Sequence, residues 1–456
     1  MKKFRKMLVV ILILSMMSTL FIGCSNNLPD PKNAQNTAEQ ENVITESDDD
    51  SEATEMNKTE FEGEIVISIP TGGYTTFMDE KIIPDFEKEY PNVKVSTITD
   101  ENVDTRIAAG DVPNVMTGVF GYMPAKYAKM DLLVDYKELN DYEALYDRIM
   151  PEFVLENFNG LYYVPWNATT QMMIYNKELF AEAGLDPENP PKTFDEYLEA
   201  SRLISELPAR EDGSKVYGSV FWNDALSWGG WYWTMMSQIY YNFNDGQYQL
   251  FNEYGTDIVI NNPEANFAEF LSFMKNVQET APPTMEMNFF SRNIGMWLQY
   301  GYGWKTNLNE APGHPMVIGE DVGVAPIPTL NENGNHWSTL DGRSLMIFKT
   351  TPMEEAISWE FVKFLMRDDY NLEACKDLGQ LPTLTALKDD PYFMLPENKP
   401  FVDQLSFAVP NEPVAEVDQI SNILLQVYSE VVIDQSLSPE DAVEKISEEA
   451  KKILDQ

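Results

Sequence analysis

The chain has 456 residues and carries 74 acidic side chains against 32 basic ones, a net charge of -42, with two cysteines and two histidines. That balance argues against nucleic acid and against adhesion to anionic lipid through a basic patch, since both need clustered Lys and Arg. Two cysteines build no disulfide framework, so a large core must stabilise the chain, and its length suffices for two lobes of ordinary domain size.

At the N-terminus Lys2, Lys3, Arg5 and Lys6 precede an apolar run from Met7 to Ile22, the pattern of a secretory signal. The run is shorter than the roughly 20 residues a helix needs to span a bilayer comfortably. It ends on Phe21-Ile22-Gly23-Cys24, which resembles the lipobox of bacterial lipoproteins, with Phe21 in place of the usual leucine. The resemblance implies removal of residues 1–23 and a diacylated, palmitate-type anchor on Cys24, which would hold the body on the extracellular face of the cell membrane. Cys375 would then have no partner; among Leu372, Ala374 and Leu378 it reads as a buried small hydrophobe. Residues 24–60 are polar and acidic, include Glu46-Ser47-Asp48-Asp49-Asp50-Ser51-Glu52, and hold no aromatic before Phe61. Such a segment buries too little apolar surface to offset its ordering entropy and should be a disordered tether with a reach on the order of 30 to 35 Å.

The folded region opens with the strand pattern Glu64 to Ile69, the loop Thr71-Gly72-Gly73-Tyr74, and a helical face through Phe77, Ile82, Ile83, Phe86 and Tyr90. A second strand, Val93 to Ile98, completes a β-α-β unit, and in open α/β sheets ligands gather at the loops beyond strand C-termini. No phosphate-binding glycine fingerprint is present. Further helical faces recur at Phe194, Tyr197, Leu198 and Ser201; at Phe267, Phe270, Leu271 and Met274; at Ile357, Phe361, Phe364 and Leu365; and at Val443, Ile446, Ala450 and Ile453. Between them lie strand-like runs at Met172 to Tyr175, Val216 to Phe221, Val322 to Ala325 and Ser344 to Phe348, while a helix is expected around Met296. The class is α/β.

The order of "IIPDFEKEYPNVKV" (82–95), "RIAAGDVPNV" (106–115), "GLYYVPWNATTQMMIYNKELFAEAGLD" (160–186), "PPKTFDEYLEAS" (190–201), "VGVAPIP" (322–328), "GRSLMIFKTTPMEEAISWEFVKFLM" (342–366) and "GQLPT" (379–383) resembles family 1 of the bacterial extracellular solute-binding proteins. Asn114 departs from the Asp more usual there. The resemblance, over residues 61–456, implies a two-lobed, type II periplasmic-binding-protein-like fold with the ligand cleft between the lobes. Lobe one would comprise 61–167 and 343–382, and lobe two 168–342 and 383–456. The chain would cross between them near Pro165 to Met172 and near Asp341 to Leu345. It further implies carbohydrate binding for the permease subunits of an ABC importer, by a monomer without cofactor or catalytic residues.

The aromatic inventory independently suggests a sugar, because flat rings pack on the apolar face of a pyranose while neighbouring polar groups take its hydroxyls. Trp222, Trp228, Trp231, Tyr232 and Trp233 crowd one stretch around Gly229-Gly230, and about half of them should be structural, since a helix starting near Trp228 cannot turn all inward. The candidate ligand contacts are Tyr74, Trp166, Asn167, Trp222, Trp228, Trp231, Trp304, Asp341 and Arg343, the last two expected just before a strand. Trp337, beside the turn-like Asn331 to His336, is a weaker candidate. A secreted glycosidase is the rival, but no spacing singles out a carboxylate pair among 74 acidic residues, and His314 and His336 sit in turn-like sequence that supports neither a triad nor a zinc site. Peptides, polyamines and metal ions remain alternative ligands, because a two-lobed scaffold does not fix its solute.

Overall fold

A computed structural model describes residues 56–119, 121–156, 160–221, 231–283 and 289–456. The expected signal segment, Cys24 and the tether up to residue 55 lie outside the described residues, as do Trp222 and Trp228. The described residues include the last part of the expected tether, and there Asn57 N donates to Glu60 Oε2 at 2.9 Å, Lys58 pairs with Glu89, and Asn92 Nδ2 donates to Thr59 O. Phe61, edge-on to Tyr90 at 5.5 Å, anchors this turn in the core.

Eleven strands are described: β1 (Gly63–Ile69), β2 (Val93–Thr99), β3 (Val115–Val119), β4 (Val164–Thr169), β5 (Gln171–Asn176), β6 (Tyr217–Val220), β7 (Ile294–Gly301), β8 (Val322–Ala325), β9 (Ser338–Ile347), β10 (Leu381–Pro382) and β11 (Ala408–Pro410). One sheet has the order β10-β4-β9-β3-β1-β2, with β11 pairing to β9, and the other has the order β6-β7-β5-β8. β1 runs parallel to both β2 and β3, and Ile65, Ile67 and Ile69 on it are completely buried. The expected first helix forms as Gly73–Phe77, a π-type turn Met78–Ile82, and Ile83–Glu89; its Phe86 meets Phe361 and Phe364 edge-on at 5.0 and 5.4 Å. Two helices start where the sequence offers Thr-x-x-Glu: Thr193 and Glu196 close a capping box on Phe194–Ser205, and Thr351 and Glu354 close another on Pro352–Leu365, where Pro352 also fits the first turn.

The chain passes between the sheets at two places. β4 ends on Thr169 in the first sheet and β5 begins on Gln171 in the second. β9 pairs with β11 over Ser338 to Leu340, then with β4 from Asp341 and with β3 from Arg343. The two crossings are tied to each other, because Gln171 N donates to Ser338 Oγ at 2.8 Å and Ser338 Oγ donates to Gln171 O at 2.9 Å. Backbone pairing with the first sheet's side continues past residue 382: Met150 N donates to Thr383 O, and Thr385 N to Arg148 O.

Two local expectations are corrected. Met296 lies on β7, not on a helix; the strand is paired on both sides and buried along all eight residues, and such a doubly covered strand shows no alternation to betray its period. Asp341 and Arg343 sit inside β9 rather than before it, since pairing with β11 extends that strand back to Ser338.

Candidate functional site

A cavity of 980 Å³ opens along these crossings. The first sheet supplies its wall from strand ends: Tyr74 on the helix after β1, Asp100 just beyond β2, Asp104 on the helix Val103–Ala108, and Tyr122 and Lys126 on the helix Tyr122–Lys129 that follows β3. This is where the loops of parallel strands gather ligands. The opposite wall comes from Gln171 on β5, Met235 on the helix Trp231–Tyr241, Gly301 and Gly303 at the end of β7, and Asp418 and Asn422 on the helix Val417–Tyr428. Thr169, Asp341 and Arg343 line the crossings themselves.

The polar groups of the cleft are held in defined positions. Arg343 lies with its guanidinium carbon 5.7 Å from the centre of the Tyr74 ring and its Nη1 3.7 Å from Asp100 Oδ2. Burial pushes the Tyr74 hydroxyl up to about 12 against the pull of Arg343, so it stays a neutral donor and acceptor. Burial likewise lifts the Asp100 carboxyl above its ordinary value, with Arg343 opposing. Asp341 Oδ1 accepts the Gly342 amide at 2.7 Å. Lys126 Nζ bridges Asp104 Oδ2 at 2.7 Å and Asp418 Oδ2 at 3.0 Å; burial works against its charge, and the two carboxylates outweigh burial and hold it above its usual value. Gln171 is 2% exposed; its Nε2 contacts Met235 Sδ at 3.2 Å, and its Oε1 has no hydrogen-bond partner. Among the described residues no three His, Cys, Asp or Glu side chains are grouped to hold a metal ion.

The model of the bacterial extracellular solute-binding protein family matches residues 71–372, well over half of the chain. The chain belongs to this family. Over 293 residues it is 26% identical to the maltotriose-binding protein of Pyrococcus abyssi, covering 62% of this chain and 58% of that protein. Over 237 residues it is 23% identical to the sn-glycerol-3-phosphate-binding periplasmic protein UgpB of Agrobacterium fabrum, covering 50% and 49%. The chain thus spans about half the length of these curated relatives. Among solved structures it resembles maltose-bound MalE3 of T. maritima, with a TM-score of 0.68 and 25% identity over 86% of this chain and 99% of that one. A Thermotoga lettingae ABC transporter solute-binding protein bound with alpha-D-tagatose gives 0.70 at 20% identity, again over 86% and 99%. The fold is therefore the two-lobed α/β fold of type II solute-binding proteins.

In this solute-binding protein the expected ligand residues other than Trp222 and Trp228, which lie outside the described residues, fall into three groups. Tyr74, Asp341 and Arg343 line the cleft. Trp166 and Asn167 lie beneath it, both completely buried: Trp166 meets the Tyr74 ring edge-on at 5.7 Å and supports it from behind, while Asn167 faces the Tyr74 hydroxyl outside ordinary hydrogen-bond geometry. β4 is covered on both faces, so its side chains form the floor, and only Thr169 at its end reaches the lining. The backbones of Trp231 and Trp304 open the helix Trp231–Tyr241 and close the turn Tyr302–Trp304, next to the cleft residue Gly303; their side chains are outside the described set. Trp233 is structural, buried with its Nε1 donating to Glu412 Oε2 at 3.0 Å. Trp337 donates instead to Asp245 Oδ1 at 3.1 Å and does not line the cleft.

The lining also holds residues that the sequence does not single out, among them Tyr122, Met235, Thr169, Gln171, Lys126 and Asp418. Thr169 and Gln171 lie within the expected first crossing, and that position is a usable signal. Lys126 and Asp418 are 292 residues apart and join through tertiary structure alone.

Proposed function

We propose that the chain is the extracellular substrate-binding component of an ABC importer, which captures a carbohydrate and hands it to the permease subunits. The observation that carries this reading is the cleft. Its two walls come from different sheets, and it combines the Tyr74 ring and a supporting tryptophan with carboxylate, guanidinium and amide groups suited to vicinal hydroxyls. The sugar ligands named for MalE3 and for the maltotriose-binding protein agree with it. Lobe one comprises 61–167 and 343–382, and lobe two 168–342 and 383–456. A ligand touching both walls favours the closed arrangement by its differential affinity, and the permease reads that closed surface. Cys24 carries the lipid that keeps this monomer at the outer face of the cell membrane; no helix among the described residues is long and apolar enough to cross one.

The protein acts by binding and not by catalysis, in keeping with a family of binding proteins. A melting screen against mono- and oligosaccharides tests both statements. A ligand at a hundred times its Kd stabilises the native state by about 2.7 kcal/mol, a rise of several degrees, and should be recovered chemically unchanged. Turnover of that ligand, abolished by replacing one carboxylate, would replace this reading with the glycosidase.

A further inference from the structure

We infer that the cleft selects an uncharged, donor-rich sugar and rejects sugar acids and sugar phosphates. The inference rests on the carbohydrate reading and narrows it, since the relatives of this chain include proteins named for the neutral maltotriose and for the anionic sn-glycerol 3-phosphate. Three observations carry it.

The first is the charge of the lining. Among the described residues it holds four carboxylates, Asp100, Asp104, Asp341 and Asp418, against two cations, Lys126 and Arg343. The second is that both cations are already engaged. Lys126 stands between Asp104 and Asp418, and Arg343 divides its charge between Asp100 and the face of Tyr74. An incoming phosphate or carboxylate would have to displace one of these carboxylates into a partly dry cleft, where like charges repel more strongly than in water. The third is the hydrogen-bond inventory. Carboxylates only accept, so the four aspartates make the lining rich in acceptor oxygens. Sugar hydroxyls bring donors to such a lining, whereas ionised phosphates and carboxylates offer only further acceptors.

The test is calorimetry on the mature protein with matched probes. The neutral set is maltotriose, cellobiose, xylobiose, galactobiose and the methyl ester of digalacturonate; the anionic set is digalacturonate and sn-glycerol 3-phosphate. At least one neutral probe should bind, with both anions at least tenfold weaker than it, and the gap should narrow as salt is raised, because screening shortens the reach of the aspartates. The doubly substituted variant Asp100→Asn/Asp418→Asn removes two negative charges and releases Arg343. It should lower the preference for neutral over anionic probe at least threefold.

An anion that binds as tightly as the best neutral probe overturns the inference and leaves a polyol-binding protein standing. An unchanged preference in a folded double variant also overturns it, because the carboxylates would then not be the cause. Failure of every probe removes the carbohydrate reading, and the inference falls with it.

Discussion

Replacing Glu412 by glutamine should flatten the pH dependence of stability, so that the variant gains on wild type as pH rises from 4 to 8.5. Glu412 follows β11 and is buried, with Phe251 N donating to Oε1 at 2.7 Å and Trp233 Nε1 to Oε2 at 3.0 Å. Burial dominates those two donors and pushes its carboxyl from 4.5 up to about 7. The folded state therefore holds the proton more tightly than the unfolded chain. Below the unfolded value both states are protonated and the group contributes no pH dependence. Between about pH 4.5 and 7 folding takes up a proton, so stability falls as pH rises; above 7 both states are ionised and the cost of the buried charge is fully present. At 1.36 kcal/mol for each tenfold change in proton affinity, that cost is about 3 kcal/mol. Glutamine is neutral like the protonated acid, but its Nε2 cannot accept, so one of the two donors loses its acceptor at every pH and the variant should be less stable than wild type at pH 4 by about 1 to 3 kcal/mol. That cost does not change with pH, so by pH 8.5 the variant should have gained up to about 3 kcal/mol on wild type. Taking the difference between the two proteins at each pH cancels every other titrating group. A difference that does not change with pH, or one that moves in favour of wild type as pH rises, would refute the reasoning.

Three other outcomes are expected. Trp304→Ala should weaken sugar binding by about 1 to 3 kcal/mol in calorimetry with the melting transition intact, and Trp231→Ala should do the same if its ring is a stacking platform; Trp233→Ala, which empties a buried site, should lower stability by about 3 to 5 kcal/mol. Gly218→Ala should be strongly destabilising in denaturant melts, by about 3 kcal/mol, because its Cβ would stand 1.8 Å from the Ser201 carbonyl oxygen, a backbone atom that cannot swing aside; a midpoint like that of wild type would show that β6 and the helix Phe194–Ser205 can separate freely. Cys24→Ala should release the protein into the medium or leave its precursor unprocessed, with ligand affinity unchanged; a correctly cleaved variant still bound to membrane would contradict lipid anchoring.

The elements with strong local signals were legible in the sequence. β1, β2 and β8 form within a residue of their apolar runs, and the helices beginning at Phe194 and Pro352 start where Thr-x-x-Glu caps their first turn. The class and the family resemblance followed from the order of such segments. Periodicity failed where burial was complete: β7 is covered on both faces, its sequence does not alternate, and it passes for a helix.

The site divides along the same line. Tyr74, Asp341 and Arg343 could be named because a loop after the first strand and a charged pair beside a glycine are local features. Trp166 could not be assigned correctly, because a tryptophan at a crossing looks the same whether its ring faces the ligand or lies beneath it, and the two covered faces of β4 put it beneath. The closure of Lys126 onto Asp104 and Asp418, and the orphaned Gln171 Oε1, depend on bringing together segments separated by up to 292 residues. Local chemistry fixed which strands and helices form. Only their packing decided which charges neutralise one another and which buried acceptor is left without a donor.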